Sequence, residues 1–472
     1  MLGADDDDLQ AGGRPPAQLQ HPRDHYSTVT QDQSLSPFIE NYINTYCFQR
    51  GRILQKLLTI KQKSCCCCTK EVKKPFWKTP SYNLFEPTEA FQQKISENAE
   101  KYYKNEANSR EYLFPNEVKN QAANLKMIDI KQVRYDKPIL IIYNPISGKK
   151  TDLREAISAY MKKEQIPFEL YVTTAYRDSF MKARDFDIDQ YSALGACGGD
   201  GTLHEVLNGM LKRKDKKRLP LAFIGNGSGN DFLRNFEVTD YRKSLQFIKV
   251  GNVIKIDVMR LLIDCESEEE AAASEDIDKH LMYSQLCVNF CFPPLVTYST
   301  PRWLKSILGG EAYTIQIVRE IRKGRLWNMS IDFDDGKLQM NNKDIQYLPV
   351  YNGKYYAAGC PLNQLASLND GLIECVIPSR FIPTGEFLGA FGDAKKGISA
   401  YVPTFEYYRF SNMRITNENK DEKGQPTTEF VDVDGEPHKY SKFMKIDTLK
   451  QEVELIVDFD YIFQEQYMHA TK

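Results

Sequence analysis

The sequence predicts an α/β domain built on a parallel sheet, followed by a domain of antiparallel strands. Between residues 137 and 260, short apolar runs alternate with stretches whose apolar residues recur at helical spacing. This pattern is typical of a parallel sheet covered by helices on both faces. From residue 281 to 416, apolar runs follow one another with Asp-Gly turns between some of them, which favours antiparallel strands.

Five segments are expected, because 472 residues are too many for one compact core. They are a disordered tail (1–36), a basic, cysteine-rich membrane-proximal or regulatory region (37–132), the α/β domain (137–260), the antiparallel domain (280–440) and closing strands that return toward the first domain (441–472). The tail is predicted to be disordered because it is rich in Asp, Pro, Gln and Gly without periodicity.

Composition excludes some classes of protein. The formal net charge of −2 argues against a nucleic-acid binder, whose usual footprint is a strong basic excess. No apolar run approaches the roughly 20 residues that span a bilayer. The acidic stretch Asp5–Asp8 is unlike a signal peptide. We therefore expect a cytoplasmic protein, either free or peripherally bound to a membrane.

The region before the α/β domain suggests a membrane contact. Phe38–Ile60 has helical periodicity with basic residues on one side, and Cys65–Cys68 follow directly. Four adjacent cysteines suit a zinc site poorly, since zinc ligands come in separated pairs. Acylation beside a basic amphipathic helix fits better, because stable anchoring needs two signals. The alternative is an unmodified basic linker.

Three loops indicate a phosphate site. The predicted strands Ile139–Tyr143, Ala193–Cys197 and Leu221–Ile224 are followed by the polar or glycine-rich loops Asn144–Lys150, Gly198–Thr202 and Gly225–Phe232. Glycines let the backbone approach a polyphosphate, and a helix N-terminus favours its charge. Since the carboxyl ends of parallel strands share one rim of a sheet, the three loops together predict a nucleotide-phosphate site.

Asp200 is out of place in an anion loop. Its carboxylate would be repelled by phosphate unless a divalent cation lies between them or the residue handles a proton. The alternative is a simple Asp-Gly turn capped by Thr202. The neighbouring His204 falls between the apolar helical positions, so we expect it on the solvent side without a catalytic role.

The later part of the chain gives further expectations. Asp264–Asp278 is acidic and rich in alanine, which favours a solvated loop, and Asp257 alone would be a polar residue of an edge strand. Strand-forming runs are predicted at His280–Phe290, Trp327–Asp334, Leu348–Ala358, Leu372–Ile377 and Glu406–Ile415, with helices at Arg302–Leu308, Tyr313–Ile321 and Glu386–Lys395.

Four motifs in this order resemble the diacylglycerol kinase catalytic domain, which diacylglycerol, sphingosine, ceramide and YegS-like lipid kinases share. They are Asn144-Pro-x-Ser-Gly148, Gly198-Gly-Asp-Gly-Thr202 with His204-Glu-Val-x-Asn-Gly209, Gly227-Ser-Gly-Asn-Asp-Phe232 and Val433-Asp-Gly-Glu436. The resemblance implies an α/β domain similar to NAD kinase and phosphofructokinase, a β-sandwich-like second domain, ATP with magnesium in the cleft between them, and a lipid hydroxyl as acceptor.

The resemblance also implies roles for single residues. Asp200 and Glu436 are the catalytic candidates, and which of them accepts the proton of the hydroxyl stays open. Asp200 and Asp231 are the magnesium candidates, although Asp231 could instead be a helix cap and Glu436 a hairpin-turn carboxylate. The ATP-binding candidates are Asn144, Pro145, Ser147, Gly148, Lys149, Gly198, Gly199, Asp200, Gly201, Thr202, Gly227, Ser228, Gly229, Asn230, Asp231, Gly435 and Glu436.

Several activities stay open at this point. Asn230-Asp231-Phe232 resembles diacylglycerol kinases, whereas Gly227-Ser228-Gly229 also resembles sphingosine kinases. Diacylglycerol is the expected acceptor and a sphingoid lipid the alternative. A soluble-metabolite kinase of the NAD kinase type is opposed by the loop that ends at Asp231. A non-catalytic membrane adaptor is opposed by the presence of Asp200, Asp231 and Glu436 together.

Overall fold

The computed structural model describes residues 131–147, 152–236, 238–301, 311–357, 359–363, 366, 368–395, 405–458 and 461. The predicted tail, the basic helix, Cys65–Cys68 and the helix at Arg302–Leu308 lie outside the described residues. No helix within the described ranges is long and apolar enough to cross a membrane.

Strands and helices alternate in the first part, as predicted. They are β1 (Ile139–Tyr143), α1 (Arg154–Lys163), β2 (Phe168–Val172), α2 (Asp178–Asp185), β3 (Ala193–Gly198), α3 (Asp200–Leu211), β4 (Leu221–Gly225), α4 (Asp231–Arg234) and α5 (Tyr241–Val250). Every residue of β1 is buried. Ile139 and Ile141 of β1 pack in one apolar cluster with α1 and α5, while Leu140 and Ile142 pack in another with α2 and α3. Helices therefore cover both faces of this sheet.

The second part consists mainly of strands, with short helices between them. The elements are β5 (Asn252–Ile263), α6 (Glu268–Ala273), α7 (Ile277–His280), β6 (Leu281–Ser284), β7 (Cys287–Cys291), α8 (Phe292–Ser299), α9 (Glu311–Arg322), β8 (Trp327–Phe333), β9 (Leu338–Ile345), β10 (Tyr347–Tyr351), β11 (Ile373–Pro378), α10 (Thr384–Lys395), β12 (Phe405–Phe410), β13 (Asn412–Asn417), β14 (Glu429–Val433), β15 (Glu436–Tyr440) and β16 (Phe443–Val457).

These strands form two sheets. The ten-stranded mixed sheet has the order β2-β1-β3-β4-β16-β13-β8-β9, with β5 paired to β16 and β6, and the six-stranded antiparallel sheet has the order β12-β11-β10-β7-β14-β15. The predicted fold class is confirmed. The mixed sheet is nevertheless continuous across both predicted domains, because β16 pairs in parallel with β4 and antiparallel with β13 and β5. The expected boundary at residue 260 falls inside β5.

Two of the predicted strand-forming runs are each divided into two strands that belong to different sheets. The run His280–Phe290 divides into β6 of the mixed sheet and β7 of the antiparallel sheet, and the run Glu406–Ile415 divides into β12 and β13. At the second crossing, Asp334 Oδ1 accepts hydrogen bonds from the backbone N–H groups of Ser411 and Asn412, at 2.8 and 3.1 Å. A buried carboxylate satisfies the backbone groups that lose their ladder partners there.

The expectation that Asp264–Asp278 is a solvated loop was wrong. The segment contains α6 and α7, and Ala271 of α6 is fully buried. Asp278 forms ion pairs with Arg177 and with Lys212, whose Nζ lies 2.7 Å from Asp278 Oδ1. These ion pairs hold the segment Asp264–Asp278 against the start of α2 and the end of α3. Its acidic side chains therefore make specific contacts as well as facing solvent.

Asp257 was expected to be a polar residue of an edge strand, and β6 does pair only with Met259–Leu262 of β5, but Asp257 is not solvated. Asp257 is fully buried in β5, opposite the irregular pairing of β16 between Leu449 and Val453. Its two carboxylate oxygens accept hydrogen bonds from the backbone N–H groups of Gly371 and Gln451, at 2.6 and 2.7 Å. The side chain thereby ties the bulge of β16 to the loop that precedes β11.

We predict a pH-dependent stability that is due to Asp257. Burial raises the pKa of Asp257 to about 7. The folded state therefore keeps a proton that the unfolded state has released, so its stability falls between pH 5 and pH 7 by roughly 1 kcal/mol per pH unit. The melting temperature should decrease over this range in the wild type and much less in Asp257→Asn. The exposed turn variant Asp335→Asn is the control and should follow the wild type; equal slopes in all three proteins would contradict the assignment.

We also predict that Gly209 is required for helix packing. A Cβ atom on Gly209 of α3 would lie 2.4 Å from the carbonyl oxygen of Phe180 and 2.8 Å from Cβ of Ala183, both in α2. Gly209→Ala should cost about 1–3 kcal/mol of stability through this overlap. Gly389→Ala is the matched control, because nothing lies within 4 Å of its Cβ position in α10. The control should be neutral or stabilising in thermal unfolding; a Gly209→Ala variant that is equally stable would refute the close approach.

Candidate active site

The three predicted loops meet at one rim of the mixed sheet. Strand β3 lies between β1 and β4, with Tyr143 paired to Cys197 and Gly198 paired to Gly225. The backbone N–H of Asn144 donates to the carbonyl oxygen of Cys197 at 2.9 Å, and that of Asn226 donates to the carbonyl oxygen of Gly198 at 2.7 Å. The loops that follow the three strands are thus hydrogen-bonded to one another where they leave the sheet.

Asn144 and Thr202 connect the first two loops through their side chains. Asn144 Nδ2 donates to Thr202 Oγ1 at 3.1 Å, and Asn144 Oδ1 accepts from the backbone N–H of Ile146 at 3.1 Å. Ser147 Oγ donates to the carbonyl oxygen of Asn144 at 3.1 Å. Pro145 and Ser147 are half-buried beside these groups, whereas Gly148 and Lys149 lie outside the described residues.

Glycines are required where the loops touch. A Cβ atom on Gly227 would lie 2.5 Å from Cα of Gly199, and one on Gly198 would lie 2.3 Å from Thr202 Oγ1. Backbone atoms cannot move aside as a flexible side chain can. The second and third loops therefore pack so closely at Gly199 and Gly227 that a side chain on Gly227 would not fit. At Gly201 the nearest atom is Oε1 of Glu436, 3.6 Å from the Cβ position. The backbone at the start of α3 therefore faces Glu436 across a small gap.

Asp200 is the first residue of α3, and its carboxylate holds the next loop. Its Oδ2 accepts from the backbone N–H of Asp231 at 3.0 Å, and its Oδ1 accepts from that of Phe232 at 3.1 Å. Asp200 therefore supplies the cap of α4 from a different loop. Burial raises the pKa of Asp200 above its usual value, and the nearby charge of Asp434 acts in the same direction.

Asp231 is not the cap of its own helix, because Asp200 takes that role. The Oδ1 atom of Asp231 accepts from the backbone N–H of Gly359 at 2.6 Å, and the Nε atom of Arg234 lies 3.9 Å from it. The preceding Asn230 has a left-handed backbone with φ of 50°, and its Oδ1 accepts from the backbone N–H of Gly227 at 2.8 Å. The third loop is thus folded on itself, while Ser228 at its tip is exposed.

Glu436 reaches this rim on a β-hairpin of the antiparallel sheet. Asp434 and Gly435 form the two-residue turn between β14 and β15, with φ of 52° and 96°, as in a type I′ turn. Glu436 is the first residue after the turn, and its side chain is exposed. The hairpin therefore delivers a solvated carboxylate to the start of α3.

The buried residue Asp432 supports the hairpin from within. Its carboxylate accepts hydrogen bonds from Thr297 Oγ1 at 2.9 Å, the Tyr356 hydroxyl at 3.1 Å and the backbone N–H of Gly435 at 3.0 Å. Burial raises the pKa of Asp432 to about 6. The turn beside Glu436 is therefore held by helix α8 and by the segment that follows β10.

The expectation that His204 faces solvent was wrong. Its ring is buried, and Nδ1 lies 2.8 Å from Oδ2 of Asp434 in the hairpin turn. One further helical turn along α3, Asn208 makes two backbone hydrogen bonds with Tyr283 of β6, at 2.8 and 2.9 Å. Periodicity alone missed both roles. The two polar residues at positions 204 and 208, one helical turn apart among apolar positions of the helix, are the signal that could have indicated them.

The site residues fit a nucleotide phosphate with a magnesium ion. The N-terminus of α3 and two tightly packed glycine loops lie beside Asp200, and Gly199 and Gly201 are half-buried there. Within the described ranges, no group of three or more His, Cys, Asp and Glu side chains could hold a metal ion by itself. Magnesium needs no such cage, because it is commonly bound by one or two carboxylates together with phosphate oxygens and water.

Comparisons with known proteins agree with these motifs. Residues 138–261 match the diacylglycerol kinase catalytic domain. Diacylglycerol kinases of Staphylococcus aureus strains JH9 and Newman are each 30% identical over 202 residues, which are 42% of this chain. The match spans 58% of the length of those relatives.

Solved structures show the same fold. A diacylglycerol kinase from Bacillus anthracis str. Sterne aligns with 69% of this chain and 98% of its own, at 18% identity and a TM-score of 0.51. A second structure from that organism aligns with 71% of this chain and 99% of its own, at 17% identity and a TM-score of 0.55. The resemblance to the diacylglycerol kinase catalytic domain is therefore confirmed for residues 138–261, which match the model of that family and contain the first three motifs.

Proposed function

We propose that this protein is an ATP-dependent lipid kinase that transfers the γ-phosphate to the hydroxyl of diacylglycerol, forming phosphatidic acid. One observation carries the proposal. Carboxylates from both parts of the fold converge on the start of α3, with Asp200 in the glycine loop and Glu436 near Gly201. The match of residues 138–261 to the diacylglycerol kinase catalytic domain supports this assignment.

The glycine loops would bind the phosphates of ATP. Gly199–Gly201 at the start of α3 and Ser228–Gly229 at the tip of the third loop would supply backbone N–H groups, and Ser228 offers an exposed hydroxyl. Asn144 holds Thr202, which keeps the first two loops in register. Lys149, from the loop after β1, would add a point charge, as the motif resemblance implies.

Asp200 and Asp231 would hold magnesium, which supplies neutralisation of the negative charge that develops on the transferred phosphoryl group. Each oxygen of Asp200 accepts one recorded backbone hydrogen bond and has a second lone pair for a water or a cation. These hydrogen bonds fix the direction of the carboxylate before ATP arrives. Asp231 lies beside it, at the start of α4.

Glu436 is our candidate for the group that accepts the proton of the lipid hydroxyl. The two oxygens of Asp200 are engaged with the backbone of α4, whereas the side chain of Glu436 is exposed and lies at the end of a hairpin. A general base must reach the proton that it removes, and an exposed side chain next to the phosphate loops can do so. In this assignment Asp200 orients the magnesium ion, and Glu436 removes the proton from the lipid hydroxyl.

A lipid acceptor requires a contact with the membrane. Residues 37–132 combine a basic amphipathic stretch with Cys65–Cys68, and these two features together would give stable anchoring. We propose that this segment brings the kinase to the surface where its substrate resides. The segment lies mostly outside the described residues, so the proposal rests on the sequence pattern.

The activity can be tested with radiolabelled ATP and vesicles that contain diacylglycerol, sphingosine and ceramide. We expect a single labelled product that migrates with phosphatidic acid in thin-layer chromatography. Glu436→Gln should lower kcat by about 10²–10⁴-fold, because it removes the proton acceptor. Asp200→Ala should lower lipid phosphorylation too, since it removes the carboxylate that orients magnesium and caps α4.

The matched control is Glu422→Gln, an exposed glutamate of the loop before β14, which should retain wild-type kcat. A labelled sphingoid product would identify a sphingoid lipid, and not diacylglycerol, as the acceptor. Transfer to NAD and to none of the lipids would favour the soluble-metabolite kinase. Transfer to nothing, or full activity of Asp200→Ala, would refute the proposed function.

The membrane contact has its own test. Replacement of Cys65–Cys68 by serine should move much of the protein from the membrane fraction to the supernatant, because one of the two anchoring signals is lost. The control replaces Cys360, a half-buried cysteine of the described part, and should leave the distribution unchanged. Unchanged fractionation of the four-serine variant would exclude acylation as the anchor.

A further inference from the structure

The hairpin turn beside Glu436 contains a buried carboxylate with many donors. Asp434 is buried, and its two oxygens accept five recorded hydrogen bonds. The donors are His204 Nδ1, Ser284 Oγ and the backbone N–H groups of Gln285, Leu286 and Cys287, at 2.7–3.2 Å. A carboxylate that is taken out of water is stable only when its lone pairs are satisfied in this way. Five donors on two oxygens define the position of the turn.

Among these donors, His204 has a distinct place in the fold. The other four belong to the short segment Ser284–Cys287, where the chain crosses from β6 to β7. His204 belongs to α3, the helix that begins at Asp200. The hydrogen bond between His204 and Asp434 therefore joins the glycine-loop helix to the hairpin of the antiparallel sheet, across 230 residues of sequence.

The proton on the His204 ring can be assigned from its partners. The backbone N–H groups of Gln285, Leu286 and Cys287 donate to the Asp434 carboxylate, which therefore acts as an acceptor here, and Nδ1 of His204 is accordingly assigned as the donor of its hydrogen bond. Asn208 Nδ2 lies 3.4 Å from Nε2 of His204, but it also donates to the carbonyl oxygens of His204 and Tyr283, at 2.9 and 2.8 Å. The strong hydrogen bond of the ring is the one to Asp434.

The spacing along both elements links this hydrogen bond to the site. His204 follows Asp200 by four residues, about one turn of α3. Asp434 precedes Glu436 by two residues, across the turn. The Oε1 atom of Glu436 lies 3.6 Å from the Cβ position of Gly201 in the same first turn of the helix. The hydrogen bond between His204 and Asp434 therefore connects the helix that starts at Asp200 directly to the hairpin that carries Glu436.

We propose that His204 and Asp434 are positioning residues that hold Glu436 at its working distance from Asp200. Neither residue needs to touch a substrate. The inference rests on the proposed function for its kinetic consequence, but the placement of the hairpin can be measured without any substrate. The geometry also gives a reason for the histidine in the Gly198–Gly209 motif, because only a side chain of this reach with an N–H donor links α3 to the turn.

The test compares His204→Ala with His204→Asn, whose amide nitrogen can donate from a position close to that of Nδ1. His204→Ala should lower kcat for lipid phosphorylation by about 10- to 100-fold, as expected when a reacting group is displaced by about 1 Å. The KM for ATP should stay within about twofold, since the glycine loops are not changed. His204→Asn should recover about tenfold of the lost kcat.

A second measurement needs no substrate. Hydrogen exchange in peptides that cover residues 431–440 should be about tenfold faster in His204→Ala and close to wild type in His204→Asn. His280→Ala is the control, because it removes another histidine hydrogen bond, from Nδ1 to the carbonyl oxygen of Ile263 at 2.8 Å. That variant should leave both the exchange of 431–440 and kcat unchanged.

The outcomes separate the two claims. Wild-type exchange and kcat in His204→Ala would refute the positioning role, as would a His204→Asn variant no better than His204→Ala. A wild-type protein that phosphorylates no lipid would refute the proposed function, while the exchange experiment would still decide whether His204 holds the hairpin.

Discussion

A buried carboxylate must be surrounded by donors, and this constraint shapes the junction between the two sheets. Asp434 and Asp334 lie in hairpin turns beside the two points where the chain passes from one sheet to the other, and each accepts hydrogen bonds from backbone N–H groups of that crossing segment. A strand that leaves its sheet loses ladder partners, and an unpaired buried N–H is costly. The aspartates replace those partners, so the position of the hairpin that carries Glu436 follows from the need to satisfy backbone groups elsewhere.

The rim of the mixed sheet where the three loops meet depends on a different constraint, which is close contact between the backbones of neighbouring loops. Gly199 and Gly227 pack against each other at a distance that no side chain allows, and Asp200 links the second loop to the helix that follows the third. If the proposed nucleotide binds here, the second and third loops need little rearrangement. Such preorganisation lowers the cost of ordering the site when a ligand binds.

Local features of the sequence predicted the rim well. Strands β1, β3 and β4 are short apolar runs, and each is followed by a loop with its own signal, so the approach of Asn144, Thr202 and Gly227 follows from parallel topology. His204 and Asp257 were placed wrongly because their partners are distant in sequence. His204 meets Asp434, and Asp257 meets the backbone of Gly371 and Gln451. Residue periodicity records which face of an element is apolar, but it carries no information on a polar partner from another element.

The place of β16 has a consequence for how the chain folds. This strand lies near the middle of the mixed sheet, next to β4 and along most of β5, although it is the last of the described strands in sequence order. During synthesis, the edge of β4 and one edge of β5 stay uncovered until residues 443–457 have left the ribosome. Exposed strand edges of this kind are templates for pairing with other chains. The sheet that contains β1 to β4 is therefore complete only once β16 has been synthesised, and a nascent chain stopped before β16 would leave these strand edges exposed.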